Sequence, residues 1–77
     1  MTARINTMVF YRDWFDTARD LEFNDYVAFI HAVLAYAFYG QYQFEEGEEM
    51  AKGAFNAVKP IIDRDIRKYK EKGGIYE

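Results

Sequence analysis

The side chains that could do chemistry in this chain are few, and their spacing does not bring them together. His31 is the only histidine and there is no cysteine. Nucleophilic catalysis needs a nucleophile, a base and a group that orients the base, all within hydrogen-bond reach. A single imidazole set among Phe29, Ile30, Ala32 and Val33 supplies one of these. It cannot hold a metal ion alone, and a thiolate zinc site is excluded without Cys. His31 therefore reads as a part-buried, hydrogen-bonded structural group. At a self-interface its protonation in mild acid would weaken assembly.

The carboxylates read no differently. Asp13, Asp16 and Asp20 near the beginning, and Asp63 with Asp65 near the end, are the carboxylates that could pair as general acid and base. An acid and base pair needs burial or close neighbours to separate its pKa values. These residues sit among Arg and Lys, and the sequence reads them as solvated surface charges. Glu45, Glu46, Glu48 and Glu49 cluster in QYQFEEGEE, without the ligand spacing of a calcium loop. Their expected role is to favour the N-terminus of a following helix through its dipole. The glycines form neither a dinucleotide fingerprint nor a P-loop. No catalytic, cofactor-binding or metal-binding residue is expected, no small-molecule substrate is evident, and the chain reads as non-enzymatic.

Charge is unevenly spread. Residues 1–58 carry nine acidic and four basic side chains, a net −5, whereas residues 59–72 carry six basic and three acidic, a net +3. Arg64, Arg67, Lys68, Lys70 and Lys72, with Tyr69 among them, are the candidate contacts of an alternative reading, a nucleic-acid-associated accessory module. Asp63, Asp65 and Glu71 dilute that stretch, and basic residues also complement the C-terminal end of a helix.

The elements that carry these residues are helical. Tyr26 to Tyr39 is a run of fourteen residues without Asp, Glu, Lys or Arg. A helix that is apolar nearly all round must be covered on every side, and this one is shorter than the ~20 residues that cross a bilayer. The spacing predicts a first helix from Thr7, as N-cap, to Arg19. A second helix is predicted from about Asp25, capped by Asn24 or Asp25, to Tyr39, with Gly40 closing it. Val27, Ile30, Leu34, Ala37 and Phe38 form its main apolar stripe, Phe29, Val33 and Tyr36 lie on another side, and Ala28, Ala32 and Ala35 make a strip of small residues suited to close helix approach. A third helix is predicted from about Glu48 to Lys70 on Ala51, Ala54, Phe55, Val58, Ile62, Ile66 and Tyr69. It is expected to kink at Pro60 or to break there. Gly73-Gly74 would end it.

The result is one all-α, three-helix domain over residues 1–77, with loose ends at about 1–6 and 73–77. Its seven Phe, seven Tyr and one Trp exceed what a monomeric core of this length encloses. A homo-oligomer, most simply a dimer, is therefore expected. Its interface would use Phe10, Tyr11, Trp14, Phe15, Ala28, Ala32, Ala35, Tyr36 and Tyr39. With no apolar leader and no Cys, the expected setting is the cytoplasm.

Three patterns together resemble a family of short domains of unknown function that recurs in phages, prophages and gut bacteria. They are Phe10-Tyr11-Arg12-Asp13-Trp14, then Tyr36 to Gly40 as Y-x-x-x-G, then Ala51 to Tyr69 as A-x-x-x-F-x-x-x-K-P-x-I-D. The resemblance spans roughly Phe10 to Gly74. It implies an all-α protein of mobile-element origin, in a family whose members sometimes head phage replication proteins. It carries no catalytic residue to this chain.

Overall fold

The computed structural model describes residues 3–71. It contains α1 (Arg12–Ala18), α2 (Phe23–Tyr39) and α3 (Glu49–Glu71), with no strand among the described residues. The all-α, three-helix architecture is the one the periodicity predicts. α2 and α3 make the principal pair, and α1 packs on both.

The chain opens differently from the expectation. α1 begins at Arg12 rather than Thr7, and its N-cap is Tyr11 in an extended conformation (φ −76°, ψ 142°). Arg4 and Ile5 are held, although a loose end through residue 6 is expected. Ile5 is only 3% exposed, and Met8 and Phe10 pack against the core. A non-helical segment with bends at Arg4 and Asn6 carries these three apolar side chains along the core surface. A helix started at Thr7 would draw Met8 and Phe10 onto diverging faces.

Arg4 fastens this segment to the end of α2. Its backbone N–H donates to the Phe38 carbonyl at 2.6 Å. Its guanidinium donates to the carbonyls of Ala37 at 3.2 Å and Tyr36 at 2.5 Å. The last carbonyls of a helix lack intrahelical donors and carry its negative dipole end. α2 has no basic residue in its own last turn, so Arg4 supplies the cation from elsewhere in the chain. Gly40 ends α2 as expected, in the left-handed region at φ 74°. A Cβ there would also lie 3.4 Å from the Arg4 guanidinium.

The N-termini of α2 and α3 show a second exchange. α2 starts at Phe23 behind Glu22, which makes no side-chain capping bond. Asp25, expected to cap α2, instead accepts a hydrogen bond from the Ala51 N–H at 3.1 Å. It thus serves an orphan donor in the first turn of α3 from a neighbouring helix. Within the preceding loop, the Glu48 carboxylate accepts the Glu45 N–H at 2.7 Å.

Pro60 does not break the third helix, which runs uninterrupted from Glu49 to Glu71. The ring removes the bond that residue 60 would give to the carbonyl of Asn56. Both residues are exposed, so water can serve that carbonyl. Ala51, Phe55, Val58, Ile62 and Ile66 form the buried stripe, in the expected phase. The Gly73-Gly74 terminator and the tail at 73–77 lie outside the described residues.

α2 is turned relative to the sequence reading. Its buried residues are Phe29, Ala32, Val33 and Ala37. Val27 and Leu34, expected on the principal core stripe, are 46% and 38% exposed. Backbone extents of 38 × 26 × 16 Å explain why one side is left open. Packed helix axes lie about 8–10 Å apart, so the thinnest backbone extent holds two layers of helix. A protein so thin cannot wrap its central helix.

Candidate functional site

Two polar clamps hang from α3 and point to opposite neighbours. Asp63 accepts hydrogen bonds from the Tyr36 hydroxyl of α2 and, at 3.3 Å, from Lys59 one turn earlier. Arg4 and Lys59 stand over the Tyr36 ring, 4.8 and 4.9 Å from its centroid. Asp65, two residues on, accepts the Tyr11 hydroxyl at 2.6 Å and the Arg64 guanidinium at 3.0 and 3.1 Å. Residues two apart on a helix diverge by about 200°. One carboxylate therefore ties α3 to α2, and the other ties it to the entrance of α1.

This corrects the reading of Asp63 and Asp65 as solvated charges: both are partly buried and bonded to tyrosines. Partial burial works against each charged form. Hydrogen bonds from Tyr36 and Lys59 outweigh it at Asp63, with the Lys59 and Arg4 charges behind them, and hold the carboxyl below its ordinary value. Bonds from Tyr11 and Arg64 do the same at Asp65, helped by the charges of Arg64 and Lys68. A carboxyl depressed by folding contributes stability above its unfolded pKa and loses it as pH falls through the folded one. The contribution should be intact at neutral pH and should decline below about pH 4, the unfolded Asp value. Thermal melts from neutral pH downward are expected to show this. The decline should be shallower in the Tyr11→Phe/Tyr36→Phe double variant, and an equal decline would contradict the clamp.

The candidate nucleic-acid residues are not gathered on one face. Arg64 is engaged with Asp65 and also reaches the Tyr11 hydroxyl at 3.3 Å. Arg67 and Lys70 line a shallow groove with Arg4, and with the carboxylates Asp63 and Glu71. Lys68 is exposed, Tyr69 packs against the core, and Lys72 lies outside the described residues.

The candidate self-interface is likewise divided. Trp14 and Ala32 are 5% and 0% exposed, so both belong to the protomer's own core and offer no outer surface. The expected close approach at Ala32 is made inside the chain. Phe10, Tyr11, Ala28, Ala35 and Tyr36 are half-buried, while Phe15 and Tyr39 are exposed. Aromatic contacts absorb many of the rings counted as surplus. Phe55 alone lies 4.4 Å from Tyr42 and 5.7 Å from both Tyr36 and Phe44, centroid to centroid.

What remains uncovered is the outer face of α2. Phe23, Val27, His31 and Leu34 follow one another at helical spacing and are all exposed, Phe23 to 75%. His31, expected to be part buried, stands in the middle of this stripe. Beside its first half a shallow groove runs to Gln43, Glu45 and Glu48 of the following loop. Periodicity missed this face because both sides of α2 are apolar.

A second feature is a recess of about 290 Å³ where residues 5–9 cross α1 and α3. Sequence reasoning had no sign of it, since it depends on residues 5–9 staying outside the first helix. Among the described residues no cluster of His, Asp or Glu could hold a metal ion, and no helix is long and apolar enough to cross a membrane.

No protein of curated function and no solved structure matches this chain. A family model matches residues 7–74, and it covers α1, α2 and α3 in full. The chain belongs to a family of unknown function, DUF6291.

Proposed function

We propose that this protein is a small non-enzymatic interaction domain that pairs with a second copy of itself through the outer face of α2. The observation that carries the reading is the exposed stripe of Phe23, Val27 and Leu34 on a helix whose one charged residue is Asp25. Exposed apolar patches of this kind mark contact surfaces. A two-fold interface sets the same patch against itself. The uncharged stripe is where a copy can approach without opposing like charges. Action in the cytoplasm and an origin in phages or other mobile elements complete the reading. Its motif pattern supports that origin.

Nucleic-acid binding through α3 has weaker support, because Arg64 is spent on Asp65 and Tyr11 and because Asp63 and Glu71 flank Arg67 and Lys70.

Sedimentation equilibrium of the full chain tests the pairing. The expected mass is that of two chains and is insensitive to salt, as an apolar interface requires. Val27→Glu/Leu34→Glu should retain the helical spectrum, since both side chains face outward, and should sediment as one chain. A parent protein that stays monomeric at high concentration would refute the reading.

A further inference from the structure

The recess beside residues 5–9 plays no part in the pairing and stands on separate observations. Ile5, Trp14, Ala37 and Ile62, all buried, contribute to its lining, while Val9, at 60% exposure, marks its open side. Protein interiors seldom leave voids larger than a water molecule. A dry apolar cavity of ~150 Å³ is enough to hold benzene. At about 290 Å³ this recess has room for a ring with a short arm.

Its polar side chains are Thr7, Asp65 and Tyr69, and Asp65 is the one that carries a charge. The Asp65 charge is already answered. Arg64 occupies Oδ1 with two N–H groups, and the Tyr11 hydroxyl occupies Oδ2. A carboxylate has about four acceptor positions, so three donors leave one. An anion in the recess would meet the Asp65 oxygens. A cation would lose hydration on apolar walls while Arg64 cancels much of its attraction to Asp65. A neutral head that donates one hydrogen bond suits both the walls and the remaining acceptor.

We infer that the recess binds a small uncharged molecule of one aromatic ring with a short arm ending in a hydroxyl or amide N–H, the ring lying among Trp14, Ile62 and Ile66 and the donor reaching Asp65.

Trp14 is the only tryptophan and lines the recess, so its emission reports occupancy. The full chain would be titrated with 2-phenylethanol, with its methyl ether, which keeps the ring and loses the donor, and with 3-phenylpropionate. The expected result is a saturable change in Trp14 emission with the alcohol. The ether should bind about ten- to a hundredfold more weakly, the worth of one hydrogen bond to a charged acceptor, and the carboxylate more weakly still. Asp65→Ala, on a partly exposed side of α3, should erase the preference for alcohol over ether while the ring still binds. Should that variant fail to fold, the comparison of alcohol with ether on the parent protein decides. Equal affinity for all three probes, as a nonselective apolar surface would give, overturns the inference. So does the absence of a saturable response.

Discussion

Phe55→Ala is expected to cost about 3–5 kcal/mol, as large-to-small changes at fully buried aromatics do. Phe55 is 0% exposed and sits in the middle of α3's buried stripe. Tyr36 meets its ring edge-on at 90°, Phe44 at 62° and Tyr42 at a 40° tilt. These rings come from α2 and from the loop that joins it to α3, so the substitution loosens the main helix pair and the connection at once. A domain of this length has roughly 4–12 kcal/mol of stability in all. The variant should therefore be partly unfolded at room temperature or melt far below the parent. Urea unfolding followed by far-ultraviolet circular dichroism measures this, and a loss below about 1 kcal/mol, the typical effect of a point substitution, would show that the aromatic cluster does not hold the pair.

Ala32→Glu is the second large effect, and it separates core from interface. Sequence reasoning places Ala32 on a surface between copies, where a charge would dissociate the oligomer or unfold the protein. In the structure Ala32 is 0% exposed within one protomer. A glutamate there has to displace packed neighbours and lose its hydration without a partner. Breaking a buried arrangement in this way costs about 3–5 kcal/mol. Ala32→Glu should be partly unfolded or melt far below the parent at every protein concentration, whereas Val27→Glu/Leu34→Glu should stay folded and alter only the mass. A folded, monomeric Ala32→Glu protein would reverse the assignment of the two faces of α2.

The acidic residues show how far a linear reading carries. Glu48 and Glu49 lie at the start of α3, where the helix dipole favours them, and that was readable from their position alone. Asp25 was recognisable as a capping residue by type, but it caps the neighbouring helix. Asp63 and Asp65 looked like wet charges because the residues beside them in sequence are charged. Their partners, Tyr36 and Tyr11, lie 27 and 54 positions away, and no local pattern contains that information. Arg4 is the same case at the other end of the chain. An arginine in an unpatterned lead-in becomes the C-terminal cap of a helix 32 to 34 residues later.

The sequence by itself determined the number of helices, their order, the left-handed stop at Gly40 and the buried stripe of α3. Each follows from short-range physics, namely a 3.6-residue period, a backbone conformation that favours glycine, and amphipathicity strong enough to run through Pro60. Which face of α2 enters the core was left to the tertiary structure. Phe29 and Val33 on one side are as apolar as Val27 and Leu34 on the other, so local hydrophobicity does not distinguish them. The choice is made by what α3, α1 and the non-helical residues 3–11 bring against the helix. It decides at once which residues stabilise the protomer and which stand outward as its candidate contact surface.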